Sequence, residues 1–291
     1  MITGSLVALV TPMHSDGSVH WEHLDKLVDF HLDNGTHGIV AVGTTGESAT
    51  LDPEEHMRVV GHIIKRVNGR IPVIAGTGGN STREAIELTE EAHKLGADAC
   101  LLVVPYYNKP TQEGLYQHFS TVAKETDLPI MLYNVPSRTA VNMEPGTVER
   151  LSAIKNIIGI KEASGSLVQV SEIIDSCGPD FALISGEDAL TWPILAIGGK
   201  GVISVTANLV PDKCASLCKA AREGDIETAK ALHYELLKLN DIMFIETNPI
   251  PVKAALALMG RIENEFRAPL CAPTEEHLSQ LTTVLKDYSL L

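Results

Sequence analysis

Short runs of aliphatic and β-branched residues recur along the chain, beginning near Ser5, Ile39, Ile71, Ala99, Pro129, Ile157, Phe181 and Gly201. The intervals between these starts average about 28 residues, which leaves room for a strand, a loop, a helix and a return loop, so neighbouring strands should pair in parallel. Val7-Ala8-Leu9-Val10, Ile39-Val40-Ala41-Val42, Leu101-Leu102-Val103-Val104 and Ile157-Ile158-Gly159-Ile160 show no polar alternation, as strands covered on both faces should. Between the runs, residues 21–34 and 53–67 carry apolar residues at helical spacing; Pro53 stands at a first-turn position and Asn34-Gly35 is a stop signal. The pattern predicts a TIM (β/α)8 barrel of the α/β class, with an open doubly wound sheet as the alternative. From about Pro211 only helical periodicity remains, with candidates over 225–244, 250–259 and 274–288. The expected division is therefore a catalytic barrel over residues 1–224 and a C-terminal all-helical extension over 225–291. No Pro- or Gly-rich linker separates them, so the extension should pack on the barrel.

Composition narrows the partners more than the fold. The 291 residues are 44% hydrophobic, enough for a sizeable core. A formal charge of -14, from 23 basic and 37 acidic residues, repels phosphate backbones and anionic lipid, so neither nucleic acid nor membrane is expected as a partner. Residues 1–12 show no basic stretch followed by a long apolar run, and a cytoplasmic protein is expected. The five cysteines lack paired short spacings and should be reduced, buried and inert. Eleven scattered histidines, His20 and His23 among them, suggest no ligand set, and no catalytic metal is expected. Gly76-Thr77-Gly78-Gly79 lacks the third spaced glycine of a dinucleotide turn. Gly198-Gly199-Lys200-Gly201 precedes the eighth strand, on the face of the barrel opposite the chemistry, and reads as a turn.

In such a barrel, reactive groups belong to the C-terminal ends of the strands. Those ends read Gly43-Thr44-Thr45-Gly46-Glu47, Pro105-Tyr106-Tyr107-Asn108, Tyr133-Asn134-Val135-Pro136-Ser137-Arg138, Lys161-Glu162 and Ser185-Gly186-Glu187-Asp188. Lys161 leaves a buried strand at the barrel mouth. A free lysine, with a pKa of about 10.4, is almost wholly protonated near neutrality, so a nucleophilic one needs desolvation or a cationic neighbour, for which Arg138 is a candidate. The alternative is a lysine that reaches solvent or pairs with Glu187. Tyrosine hydroxyls can carry the protons that imine chemistry moves, and Tyr133, one strand away, is the nearest candidate. Glycines flanking Thr44 and Thr45 would let consecutive amide N–H groups point inward as a cradle for a carboxylate.

Gly-Thr-Thr-Gly-Glu from Gly43, Tyr-Asn-Val-Pro-Ser-Arg-Thr from Tyr133, Gly-Ile-Lys-Glu-Ala from Gly159 and Asn-Pro-Ile-Pro-Val-Lys from Asn248 together resemble the dihydrodipicolinate synthase family, over nearly the whole chain. The resemblance implies a class I aldolase mechanism in which Lys161 forms an imine with pyruvate and Tyr133 shuttles protons. It also implies a relay of Thr44, Tyr133 and Tyr107, with Tyr107 reaching in from a neighbouring subunit of a homotetramer built as a dimer of dimers. Thr45 would hold the pyruvate carboxylate, Arg138 the carboxylate of aspartate 4-semialdehyde, and Gly186 and Ile203 would line the pocket. The implied product is 4-hydroxy-tetrahydrodipicolinate, on the route to diaminopimelate and lysine, made without a metal or other cofactor. Sugar-acid aldolases share the lysine and the first motif, but Arg138 suits a short anionic aldehyde better than a sugar chain. In members inhibited by lysine, the effector site corresponds to Ser48, Ala49, His56, Asn80, Glu84 and Tyr106 of this sequence. Pro53 stands where some regulated members have histidine. Read without the resemblance, Asn80 is an ordinary helix cap and Glu84 a carboxylate near a helix dipole.

Overall fold

The computed structural model describes residues 2–291. Eight strands, β1 (Gly4–Ala8), β2 (Gly38–Ala41), β3 (Val73–Gly76), β4 (Ala99–Val103), β5 (Ile130–Asn134), β6 (Ile157–Glu162), β7 (Ala182–Ser185) and β8 (Gly201–Ser204), pair in parallel in chain order. β8 closes back onto β1, so the sheet is a barrel and the open doubly wound alternative falls away. Each predicted strand start lies inside its strand or within two residues of it.

The absence of polar alternation has a direct cause: both faces of every strand are dry. Leu6, Ala8, Val40, Ile74, Leu101, Met131, Ile184 and Ile203 point into the barrel and form an interior cluster. Their neighbours Val7, Ile39, Ala41, Ala75, Leu102, Leu132 and Leu183 face the helical shell and join the larger core between sheet and helices. Burying one such aliphatic side chain contributes about 1.5–3 kcal/mol.

Beyond β8, the chain is helical over Pro211–Glu223, Ile226–Ile242, Ile250–Leu258 and Glu275–Asp287. Leu236, Leu239, Met243, Val252, Leu281 and Leu285 from this region belong to the same core as the shell helices, so it rests on the barrel through shared apolar packing. Among the described residues, no helix is long and apolar enough to cross a membrane. The cysteines depart from expectation in part: Cys100, Cys214 and Cys218 are buried, Cys177 is half-buried and Cys271 is exposed.

Candidate active site

The two-residue period of a strand decides which side chains reach the barrel mouth. On β5 and β6, Tyr133 pairs with Lys161 and Asn134 with Glu162. Tyr133 and Lys161 therefore point inward side by side, and Asn134 and Glu162 point outward side by side. Lys161 Nζ lies 4.2 Å from the Tyr133 ring centroid, and both residues are 7% exposed. Among the described residues, no carboxylate comes within ion-pairing distance of Lys161, so the alternative pairing with Glu187 does not form.

The outward pair fixes the inward one. The Glu162 carboxylate, 1% exposed, accepts hydrogen bonds from the Ser164 amide at 2.7 Å, Asn134 Nδ2 at 3.0 Å and Gln169 Nε2 at 3.2 Å. It thereby ties the end of β6 to β5. On the other side, Gly186 follows β7 with no room for a side chain. A Cβ there would stand 2.7 Å from the Ala163 Cβ and 3.1 Å from Lys161 Cε, so the glycine makes space for the lysine stem. Ile203 on β8 lines the interior below. Asp188 ties the loop after β7 to the end of β8, accepting from Ser204 Oγ at 2.5 Å and from the Val205 and Thr206 amides at 2.8 and 3.3 Å. Burial raises its pKa above the usual carboxylate range. Burial, with Asp188 beside it, does the same for Glu187.

The turn after β2 carries Thr44 and Thr45. The amides of Gly46, Glu47 and Ser48 donate back to the Gly43 and Thr44 carbonyls, whereas those of Thr44 and Thr45 have no acceptor among the described residues, as a carboxylate cradle requires. Gly46 serves packing: a Cβ there would meet Val42 Cα at 2.9 Å. Val42 and Glu47 both adopt left-handed backbone, at φ 52° and φ 59°, costly geometry that surrounding contacts must hold. Arg138 lies in the short helix Pro136–Thr139 and donates from Nη2 to the Asn248 carbonyl at 3.1 Å.

Sequence reasoning missed what holds this turn. Asn248, quoted above only within a motif, donates from Nδ2 to Thr45 Oγ1 at 2.9 Å. Lys253 in the helix Ile250–Leu258 forms an ion pair with Glu47 in which both side chains are fully buried. Burial lowers the Lys253 pKa and the Glu47 carboxylate opposes that shift. The Arg267 amide donates to Glu47 Oε2 at 3.3 Å, and its guanidinium bonds the Thr50 carbonyl at 2.8 Å and both Glu55 carboxylate oxygens. The extension thus grips the Thr44–Thr45 turn along its length.

A cavity of ≈ 430 Å³ opens from Thr44, Arg138 and Asn248 and runs to Ser48, Ala49, His56, Glu84 and Tyr106. Asn80 adjoins it, donating from Nδ2 to the Tyr106 carbonyl at 3.3 Å; the helix cap is Ser81, not Asn80. His56 Nε2–H donates to the Gly76 carbonyl at 2.7 Å, and burial lowers its pKa, which favours a neutral ring with Nδ1 as an acceptor. Tyr106 has its pKa raised by burial and by the Glu84 carboxylate. Tyr107, by contrast, is 91% exposed and takes no part in the mouth of its own barrel. The structure also brings His14, His20 and Glu263 together, a grouping invisible in sequence spacing, with their ligand atoms all within 4.8 Å of one another. Its rings have structural tasks: His20 Nδ1 accepts from the His23 amide at the helix start and its ring stacks between His14 and His23.

A buried lysine and tyrosine side by side at the mouth of a closed parallel barrel define the class: a barrel enzyme of the class I aldolase type. Comparison with known proteins specifies it. Residues 1–288 match the model of the Dihydrodipicolinate synthetase family, and the chain belongs to that family. The 4-hydroxy-tetrahydrodipicolinate synthase of Marinobacter nauticus is 61% identical over 287 residues, covering 98% of each chain. The chloride-inhibited dihydrodipicolinate synthase of Acinetobacter baumannii, solved with pyruvate, is 50% identical with a TM-score of 0.99 over 100% of both chains. The enzyme of Cyanidioschyzon merolae, solved with lysine bound, is 41% identical with a TM-score of 0.97, over 100% of this chain and 99% of that one.

Proposed function

We propose that this enzyme condenses pyruvate with L-aspartate 4-semialdehyde to give 4-hydroxy-tetrahydrodipicolinate, the first committed step toward diaminopimelate and lysine, with Lys161 as the nucleophile. The observation that carries the assignment is the register of β5 and β6, which sets Tyr133 beside Lys161 inside the barrel. Lys161 Nζ adds to the pyruvate ketone and water leaves, giving the imine. Loss of a methyl proton gives an enamine, whose carbon attacks the aldehyde. The substrate amine then adds to the imine carbon and displaces Lys161, closing the ring, so that one water is released overall. The enamine supplies the electron pair for the new carbon–carbon bond, and the scheme uses no cofactor.

Tyr133 passes protons at the imine steps, with Thr44 and Tyr107 completing the relay. Thr45 and the free amides beside it hold the pyruvate carboxylate. Arg138 holds the carboxylate of the aldehyde, and Gly186 and Ile203 shape the pocket around the imine. The exposed Tyr107 ring supports a homotetramer built as a dimer of dimers, in which a second copy covers that ring and receives it. The enzyme works in the cytoplasm, as a barrel over 1–224 with a helical extension over 225–291. Relatives at this level of identity carry the synthase name, and nothing favours the sugar-acid alternative.

The second part of the proposal is feedback inhibition by lysine in the ≈ 430 Å³ cavity. Glu84 offers a carboxylate to an ammonium, and neutral His56 offers an acceptor. Ser48, Ala49, Asn80 and Tyr106 complete the site, and Pro53 lines it where a regulated member can carry histidine.

Intact mass after incubation with pyruvate and borohydride tests the central claim. One reduced pyruvate should add to the wild type and none to Lys161→Ala. A folded wild-type protein that gains no mass would remove the imine mechanism.

A further inference from the structure

Thr45 and Arg138, the two residues assigned to the two substrate carboxylates, share a partner that comes from neither of their own strands. Asn248 lies 203 residues beyond Thr45 and is 6% exposed. Its side-chain amide donates to Thr45 Oγ1 at 2.9 Å, and its main-chain carbonyl accepts from Arg138 Nη2 at 3.1 Å. A hydroxyl has one proton to give. When Nδ2 fills an acceptor position on the Thr45 oxygen, that proton is free to point elsewhere, and the carboxylate cradle is beside it. The alignment is doubly fixed: Glu47 and Lys253 form a second, fully buried rung between the same two segments.

We propose that Asn248 is a positioning residue for this reaction, holding the Thr45 hydroxyl as a donor to the pyruvate carboxylate through its side chain and setting Arg138 for the aldehyde carboxylate through its main chain. The two links respond differently to substitution. Any change of side chain leaves the carbonyl that Arg138 uses. Asn248→Asp leaves an acceptor where the donor stood, so the Thr45 proton turns toward residue 248 and away from pyruvate. The inference rests on the assignment of Thr45 to pyruvate.

The test is steady-state kinetics with each substrate varied separately, on the full-length wild type, Asn248→Asp, Asn248→Ala, Thr45→Val and the double variant Thr45→Val/Asn248→Asp. Losing a hydrogen bond to a charged group should raise the pyruvate KM about tenfold or more in Asn248→Asp, and less in Asn248→Ala, where the hydroxyl turns freely. The aldehyde KM should stay within about twofold and kcat within a few-fold, because Lys161 and Tyr133 are untouched. In the Thr45→Val background, Asn248→Asp should add nothing further. An unchanged pyruvate KM in Asn248→Asp, with Thr45→Val impaired, overturns the role of Asn248 alone. A tenfold effect that persists in the Thr45→Val background also overturns it, since the new charge would then act without the hydroxyl. An unchanged pyruvate KM in Thr45→Val removes the assignment of Thr45 itself, and the inference with it. An equal loss in both KM values and kcat, accompanied by a fall in Tm, identifies Asn248 as merely structural.

Discussion

Replacing Lys253 by methionine puts the grip of the extension on the Thr44–Thr45 turn to a quantitative test. Lys253 and Glu47 are both fully buried and paired with each other. Methionine fills most of the lysine stem and stays packed near Phe266, whose ring centre is 5.0 Å from Lys253 Nζ. What remains is a carboxylate in the protein interior whose other hydrogen bond is the 3.3 Å contact from the Arg267 amide. Removing one partner of a buried pair costs about 3–5 kcal/mol, because the other is left uncompensated. At about 2.1 cal/mol/K per residue, a chain this long unfolds with an entropy near 0.6 kcal/mol/K, so Tm should fall by about 5–8 °C. Differential scanning calorimetry at one fixed protein concentration measures this directly, with concentration held constant because assembly raises apparent stability. Adding Glu47→Gln to Lys253→Met should recover more than half of the loss, since a neutral amide is far cheaper to bury than a charge. A Lys253→Met protein melting within a degree of wild type, or a double variant less stable than the single one, would refute the reasoning.

Three other outcomes can be checked. Burial lowers the pKa of His31 to about 3 and of His118 to about 4, from the ordinary 6.5. Below pH 6.5 the unfolded chain takes up protons that the fold refuses, so their contribution is complete above that pH and declines toward pH 4, by about 1.4 kcal/mol per pH unit for each ring. Urea midpoints for His118→Gln should fall less steeply with acid than wild type between pH 6 and 4.5; parallel curves would show that the ring is not shielded. Gly186→Ala should slow borohydride trapping about tenfold or more, because its Cβ would stand 3.1 Å from Lys161 Cε; a wild-type trapping rate would mean that the stem needs no such space. Glu84→Gln should raise the lysine concentration for half-inhibition about tenfold or more by removing a charge-assisted bond, and unchanged sensitivity would place the effector elsewhere.

The strands were legible because a barrel of this kind is dry on both faces: Val7 and Leu6 must both be apolar although they point in opposite directions. The pair at the mouth was legible for a related reason. Lys161 ends an apolar run with no structural need of a charge, and Tyr133 ends the run before it. What the pattern concealed was direction and long-range contact. Tyr106 and Tyr107 lie beyond the end of β4 and Tyr133 within β5, and Tyr107 is 91% exposed while Tyr133 is 7% exposed, because only Tyr133 lies on the inward phase of a strand. Asn248, Lys253 and Arg267 bind to a turn more than 200 residues earlier, and no local periodicity encodes such a meeting. A signal was present in Lys253 all the same. A lone lysine in Ile250-Pro251-Val252-Lys253-Ala254-Ala255-Leu256 is surrounded by residues that are all buried, and a charge there requires a buried partner.

The grip of the extension also sets an order of assembly. As the chain leaves the ribosome, all eight strands, Lys161 and Tyr133 have been made by residue 204. At that point the Thr45 hydroxyl lacks Asn248, the Glu47 carboxylate lacks Lys253, and the strained turn that bears them is unsupported. The Thr44–Thr45 turn is therefore finished last, by residues from the final sixth of the sequence. On the roles proposed for Lys161 and Thr45, a nascent or truncated chain carries the imine-forming lysine without a supported turn to hold pyruvate against it, and an unfinished copy should be idle.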